Sequence, residues 1–402
     1  MSRVSADTVV VGAGVIGSSV AYELADAGVE VIVLDDKPVG SGCTYHGSGL
    51  IWKLIWNEPL QYRFAARATE TLYDVVPVVR ELSGIDPQLH RFDTILPIFD
   101  EGDVVALERD IETSAGDVEV EWLDRDEVLA REPRINSEVE RGAFLTDSAQ
   151  VDGYHLARAF AGAAIRKGAQ FLSLRATGVE CENGRVTGVV HTGGRISCSQ
   201  VVICMGAWSG LASDWLGCPV PIVGLKGETI RMQHPETFPI KINRPSGGGA
   251  APRIDGLVMV GATGTNRFND RPGDLMKLDL DFEPTVEGRT SMLEQSTWVV
   301  PSLGEGEIVY HLAGPRPLTA DGMPMIGAVP DAEGAYVATG HRNKGIHLSA
   351  LTGRTIRELI VGETPTVEKD VLDRFDPARF AGQAEIRITA PGIADDDLRR
   401  ML

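Results

Sequence analysis

The chain has 402 residues, of which 43% are hydrophobic and 24% charged, and 38 Lys and Arg against 57 Asp and Glu give a formal net charge of −19. This length supplies two or three domains with cores of their own, so stability requires neither disulfides nor a structural metal. The negative charge, without any run rich in Lys or Arg, excludes nucleic acids and anionic membrane surfaces as main partners.

Cysteine spacing and the N-terminal sequence argue against a disulfide-stabilised, metal-binding or membrane-inserted protein. The five cysteines contain no C-x-x-C pair and are odd in number, so we expect neither a disulfide framework nor a metal site. The first seven residues lack a basic segment followed by an apolar stretch, and no run of 18 apolar residues occurs. We therefore expect a cytoplasmic protein with no membrane insertion.

The N-terminal segment predicts one βαβ unit. Thr8 to Val11 is a short β-branched run, typical of a strand buried on both faces of a parallel sheet. Val15 to Ala27 has the apolar spacing of a helix, and Gly28 suits its end. Val29 to Leu34 then predicts the second strand.

Further elements follow along the chain. The pattern predicts a helix from Ala65 to about Leu82, broken or bent near Pro77, and alternating strands and helices up to Ile135. Asn183-Gly184 lies between apolar runs and favours a β-hairpin. The remaining clear predictions are a helix at Tyr154 to Lys167, a strand at Gln200 to Met205, a strand at Tyr336 to Thr339 and a helix at Leu348 to Ile360.

A glycine motif at the first strand-to-helix junction predicts dinucleotide binding. In G-A-G-V-I-G, Gly12 makes the tight turn, Gly14 admits a pyrophosphate close to the backbone, and Gly17 lets helix and strand pack closely. Asp35 ends the next strand, where a carboxylate accepts hydrogen bonds from a ribose, and Asp36 adds charge that disfavours a 2′-phosphate. FAD and NAD both remain open on this motif. The predicted cofactor contacts of this unit are Gly12, Gly14, Val15, Ile16, Gly17, Asp35 and Asp36.

Six further segments follow the glycine motif along the chain. They are G-S-G-C-T-Y-H-G-S-G-L-I from Gly40, V-D-G-Y-H-L-A-R-A from Val151, G-A-W-S-G from Gly206, G-L-K-G-E-T-I-R-M from Gly224, A-G-P-R-P-L-T-A-D-G-M-P-M-I-G from Ala313 and Y-V-A-T-G-H-R-N-K-G-I from Tyr336. With these segments in this order, the chain to about Pro377 resembles the FAD-dependent amine and amino-acid oxidoreductases, which include glycine oxidase, D-amino acid oxidase, and sarcosine and dimethylglycine dehydrogenases.

Two catalytic roles are implied by this resemblance. His46 matches the histidine that dimethylglycine and sarcosine dehydrogenases bond to the flavin 8α-carbon, so the FAD is expected to be covalently bound through it; a noncovalent flavin neighbour is the alternative. Arg316 matches the arginine that grips the substrate carboxylate in glycine oxidase and D-amino acid oxidase. A guanidinium fork suits a carboxylate bidentately.

The resemblance also implies further FAD contacts and the absence of one functional lysine. Met259 aligns with the strand position where sarcosine oxidases place an oxygen-activating lysine, which puts fast reaction with O₂ in doubt. The implied FAD contacts, in addition to His46, are Cys43, Thr44, Gly47, Val179 (through its backbone, at the adenine), Gly206, Arg342, Asn343, Lys344 and Gly345.

These observations predict an α/β flavoenzyme. A discontinuous Rossmann-like FAD-binding domain (1–80, 150–220 and 316–377) joins a substrate domain with a mainly antiparallel sheet and helices (81–149 and 221–315), followed by a C-terminal tail at 378–402. The expected reaction oxidises a C–N bond of an amino acid or N-alkyl amino acid, with hydride transfer to flavin N5 and imine hydrolysis. The alternatives are a flavin-bearing subunit of a multi-protein amine dehydrogenase and an NAD-dependent dehydrogenase. The substrate, the electron acceptor and the oligomeric state stay open.

Overall fold

The computed structural model describes residues 5–54, 56, 58–114, 116–261, 267–268 (backbone only), 280–383, 386 and 389–390. Most of the predicted tail, 378–402, lies outside these residues. The strands are β1 Thr8–Val11, β2 Val31–Asp35, β3 Leu50–Ile51, β4 His90–Ile98, β5 Glu121–Asp124, β6 Arg141–Gln150, β7 Gln170–Ser173, β8 Ala176–Glu182, β9 Arg185–His191, β10 Gly194–Ser197, β11 Gln200–Ile203, β12 Ile222–Gln233, β13 Lys241–Asn243, β14 Gly249–Pro252, β15 Val258–Val260, β16 Arg267–Phe268, β17 Glu307–Thr319, β18 Met325–Ala328 and β19 Ala335–Thr339. The helices are α1 Val15–Asp26, α2 Cys43–His46, α3 Pro59–Ser83, α4 Glu101–Thr113, α5 Arg125–Arg131, α6 Gly153–Arg166, α7 Ala212–Leu216, α8 Val286–Val299, α9 Gly345–Val361 and α10 Lys369–Phe375.

The first sheet has six strands in the order β18-β19-β11-β1-β2-β7. All pairs are parallel except β18 with β19. Both faces of β1 are buried, as its continuous apolar run predicts: Val10 packs among the helices, whereas Val9 and Val11 pack on the opposite side with Val189 and Ile196. The latter two belong to a three-stranded antiparallel sheet, β10-β9-β8. The carboxyl ends of the parallel strands are thereby left open at one edge, where such sheets bind ligands.

The second sheet is larger and mainly antiparallel. Its order is β16-β12-β15-β14-β13-β4-β6-β3, with β17 paired to β12 and β5 paired to β6. Helix α8 packs on one face, where Ile230, Met232 and Met292 share a core. Strand β3 pairs with β6 in this sheet, although it lies within the 1–80 segment predicted for the FAD-binding domain. Strands β12 and β17 are antiparallel along nearly their whole lengths.

Two local predictions concern the helix around Pro77 and the hairpin at Asn183-Gly184. Of the predicted break or bend near Pro77, the break does not occur: helix α3 continues through Pro77, and its buried face, including Leu72, Val76 and Val79, offsets the lost hydrogen bond. Asn183 and Gly184 join β8 to β9 with φ of 51° and 76°, as a type I′ hairpin turn requires. In the described part of the chain, no helix is long and apolar enough to cross a membrane.

Candidate active site

A cavity of about 460 Å³ lies where the two sheets meet. The ends of β1 and β2 and the segments after β11 and β19 form one side, and β12 and β17 form the other. The predicted residues that line this cavity are Gly12, Gly14, Val15, Ile16, Asp35, Asp36, Cys43, Thr44, His46, Gly47, Gly206, Arg316, Arg342, Asn343 and Gly345. Residues separated by more than 300 positions in the chain therefore share one site.

The glycine motif forms a tight cradle at one end of the cavity. Gly12 has φ of 105°, and a Cβ there would overlap the carbonyl oxygen of Cys204. A Cβ on Gly17 would overlap the carbonyl oxygen of Gly12, so Gly17 makes the helix–strand contact without lining the cavity. Gly14 has no side chain to cap the N-terminus of α1, and the backbone N of Val15 there donates to Thr44 Oγ1 at 3.1 Å. The positive end of this helix lines the cavity, where it favours an anion. This cradle fits the pyrophosphate of a dinucleotide.

Asp35 is held in place by backbone donors beside the cradle. Its Oδ2 accepts from Ala13 N at 2.8 Å and its Oδ1 from Lys37 N at 2.9 Å. Burial raises the pKa of Asp35 from its usual value, while these two hydrogen bonds oppose the rise. Each oxygen retains a lone pair, so the carboxylate can still accept from a ribose hydroxyl.

Arg175 is a cavity residue that the sequence did not reveal. It precedes β8, and its Nη2 lies 2.5 Å from Oδ2 of Asp36. This ion pair compensates the Asp36 charge, so Asp36 repels a 2′-phosphate less than its formal charge implies, and discrimination against a 2′-phosphate depends mainly on Asp35. Arg175 and Ala176, rather than Val179, line the cavity from this strand; Val179 packs against the second core. A pairing across 139 residues leaves no local sequence signal.

His46 ends the short helix α2 and lines the cavity. Its Nδ1 lies 3.0 Å from the carbonyl oxygen of Gly42, and because a carbonyl only accepts, the neutral ring carries its proton on Nδ1. Nε2 then keeps its lone pair. Burial lowers the pKa of His46, and the nearby Arg231 lowers it further, so the ring is neutral at pH 7. A neutral imidazole with an unprotonated Nε2 is a nucleophile.

Two further arginines line the cavity, Arg316 on β17 and Arg342 in the segment after β19. Burial lowers the pKa of Arg316 to about 10, with Arg342 adding to the decrease and Glu228 opposing it. Burial also lowers the pKa of Arg342, whose φ is 52° and whose backbone N donates to Pro317 O at 2.8 Å. This hydrogen bond ties the segment after β19 to β17 beside Arg316. The two cations create a positive potential inside an otherwise acidic protein.

Comparison with known proteins identifies the family. Residues 7–359 match the model of the "FAD dependent oxidoreductase" family. The chain belongs to this FAD-dependent oxidoreductase family. This confirms the predicted family and FAD as the cofactor, and it sets aside the NAD-dependent alternative.

Individual relatives of this FAD-dependent oxidoreductase agree with the assignment. The chain is 29% identical to a glycine oxidase of Pseudomonas aeruginosa over 93% of this chain and 97% of that protein. It is 27% identical to a D-amino acid dehydrogenase of Cereibacter sphaeroides, covering 93% and 99%. The crystal structure of glycine oxidase from Geobacillus kaustophilus superposes with a TM-score of 0.84 at 26% identity, covering 94% and 100%. The predicted fold class, a Rossmann-like FAD-binding unit in an α/β protein, is thereby confirmed.

Lys344 lies outside the cavity lining of the oxidoreductase, although its neighbours Asn343 and Gly345 belong to it. Its Nζ donates to Gln61 Oε1 at 3.0 Å and lies 4.5 Å from the centre of the Trp56 ring. Burial lowers its pKa to about 7, with Arg342 adding to the decrease. Its side chain therefore connects α9 to α3.

Met259 is buried in β15, opposite Arg231 of β12 and Ala251 of β14, and does not line the cavity. Among the described lining residues, the one lysine is Lys37, at the Asp35 end. Away from that end, the positively charged residues among the described lining are Arg316 of β17 and Arg342 of the segment after β19.

Proposed function

We propose that this oxidoreductase oxidises the C–N bond of a small amino acid or N-alkyl amino acid, of the glycine or sarcosine type, and that Arg316 binds the substrate carboxylate. The observation that carries this proposal is a half-buried guanidinium in the wall of the cofactor cavity, next to a second guanidinium. Glu228 already opposes the fall in the Arg316 pKa, and a substrate carboxylate adds an anion that the guanidinium fork binds bidentately. Glycine oxidase relatives over nearly the whole chain support the same substrate class.

The residues of the chain support this reaction by binding and orientation. FAD, when bound, supplies the hydride acceptor at N5. Arg316 fixes the carboxylate bidentately and thereby orients the carbon that bears the amine. The positive charges of Arg316 and Arg342 disfavour a protonated ammonium group beside them, which lowers the amine pKa of the bound substrate. The amine is then neutral when it reacts, and no side-chain base is required.

Two neutral histidines line the same cavity and add no competing charge. Burial lowers the pKa of His341 to about 3, and its Nε2 lies 3.1 Å from Thr352 Oγ1. Burial lowers the pKa of His46 as well. The substrate carboxylate is therefore attracted to the arginines rather than to a histidine cation.

A panel of amino acids and N-methyl amino acids, added anaerobically to the purified holoenzyme, tests this proposal. We expect rapid loss of the oxidised flavin absorbance with glycine, sarcosine or a similar substrate, and release of ammonia or methylamine in equal amount. A panel that includes uncharged amines distinguishes the classes. Bleaching by the uncharged amines alone would contradict the proposal.

We further propose that His46 is covalently bonded to the flavin 8α-carbon through Nε2. The hydrogen bond from Nδ1 to Gly42 supports this choice of nitrogen, because it leaves the Nε2 lone pair available. Attachment would form the Nε2–C8α bond in place of one C–H bond of the 8α-methyl group, whose hydrogen would leave as a proton, and the two electrons would pass to the acceptor that reoxidises the enzyme in turnover.

Acid precipitation tests the bond. We expect the yellow colour to stay with the polypeptide and the intact mass to exceed that of the chain by one FAD. His46→Ala should remove this mass increment while retaining reversible FAD binding at the glycine cradle. Complete release of the flavin from the parent protein into acid would contradict the bond.

A further inference from the structure

Two glycines face each other on β12 and β17 in the cavity wall. Gly227 is the register partner of Gly314, and both line the cavity. Neither has a positive φ, so the backbone at these positions suits any L-residue. Glycine at both positions is therefore explained by the space that a Cβ would need there.

That space is occupied by the two side chains on which the proposed function rests. A Cβ on Gly227 would overlap Nε and Cζ of Arg316, so the Arg316 side chain lies directly over this glycine. A Cβ on Gly314 would lie 2.8 Å from Cβ of His46 and 3.1 Å from its Cγ. Real Cβ contacts are essentially never shorter than 3.0 Å, so one group in each pair would have to move.

We propose that Gly227 and Gly314 are positioning residues: Gly227 sets the location of the Arg316 guanidinium, and Gly314 sets the approach of His46 to the sheet. This inference rests on the proposed function, because it assigns the consequences of these contacts to carboxylate binding and to flavin attachment. The two effects are separable. The clash at Gly227 meets the mobile end of a long side chain, whereas the clash at Gly314 meets a Cβ fixed to α2.

Gly227→Ala tests the first half of the proposal, the positioning of the Arg316 guanidinium by Gly227. Displacing the guanidinium by about 1 Å is enough to lower reactivity by about 100-fold, so we expect a 10- to 100-fold rise in KM for glycine or sarcosine. A similar rise is expected in the inhibition constant of acetate, a carboxylate that cannot react. Flavin content should stay at the parent level. Gly304→Ala is the matched control, because a Cβ on Gly304 meets nothing within 4 Å and its φ is ordinary.

Non-additivity separates positioning from general damage to the fold. If Gly227 acts through Arg316, the Gly227→Ala change should have little further effect in an Arg316→Ala background. Equal effects in both backgrounds, or parent-like KM and acetate inhibition in Gly227→Ala, would overturn this half. If Arg316→Ala itself leaves KM for carboxylates unchanged, the carboxylate-binding proposal and this half fail together. If Arg316→Ala raises KM strongly and Gly227→Ala leaves it unchanged, the positioning role of Gly227 is refuted, whereas carboxylate binding by Arg316 is supported.

Gly314→Ala tests the second half through the flavin rather than through turnover. We expect a reduced acid-stable flavin fraction or, if the parent holds its flavin reversibly, faster FAD loss on dialysis and an altered visible spectrum. The change should be absent in a His46→Ala background. A Gly314→Ala protein that matches the parent in all three measurements, or that shows the same loss without His46, would overturn this half.

Discussion

Replacing Arg316 by alanine perturbs the substrate end of the cavity most directly. Burial and the neighbouring Arg342 lower the Arg316 pKa from 12.5 to about 10, which corresponds to roughly 3 kcal/mol of disfavoured positive charge. A bound carboxylate relieves this cost, and loss of one partner of such a pair typically costs about 2 to 5 kcal/mol. We therefore expect kcat/KM for glycine or sarcosine to fall by about 100-fold, within a range of about 30- to 4000-fold.

The assay compares a carboxylate substrate with its uncharged counterpart, such as glycine with glycinamide, under anaerobic flavin reduction. Arg316→Ala should penalise glycine far more than glycinamide, and Arg316→Lys should recover part of the loss because it restores charge without the planar fork. Arg175→Ala is the control at the Asp35 end, and it should leave the glycine-to-glycinamide ratio unchanged. Equal losses for both substrates in Arg316→Ala would refute carboxylate binding by this residue.

Three further outcomes follow from the same structure. Asp35→Asn should weaken FAD retention by about 10- to 150-fold in equilibrium dialysis, because a hydrogen bond to a charged acceptor contributes about 1.5 to 3 kcal/mol. Asp36→Asn, which changes the adjacent carboxylate paired with Arg175, should have a smaller effect. Equal FAD retention in both variants would contradict the assignment of Asp35 to the ribose. The pKa of Lys344 is about 7 in the folded protein and 10.5 ordinarily, so unfolding takes up a proton between these pH values and the free energy of unfolding rises with pH across that interval. Lys344→Met should lose this rise in denaturant titrations, and an unchanged pH dependence would count against the burial of a neutral amine. Reduced enzyme should react faster with an artificial dye than with O₂, because Met259, at the position predicted for the oxygen-activating lysine, carries no charge and does not line the cavity. Stoichiometric peroxide at the dye rate would show an oxidase instead.

The cofactor end of the site was predictable from the sequence because its determinants are local. The G-A-G-V-I-G turn, the helix that it opens and Asp35 all lie within one βαβ unit, where strand and helix periodicity fix which atoms meet. The family resemblance added Arg316 and His46, and the structure brings both to the same cavity.

Tertiary structure alone decided the remaining placements. Arg175 meets Asp36 because β7 pairs with β2, and Gly227 lies under Arg316 because β12 and β17 adopt one particular register. The sequence places Lys344 beside cavity residues, yet its side chain points to Gln61 and Trp56 on the other side. Periodicity specifies the two faces of a single strand or helix, whereas the choice of pairing partner and register depends on the burial of the whole sheet. The glycine motif therefore located the cofactor from sequence, but the wall that orients the substrate is a property of the folded sheet.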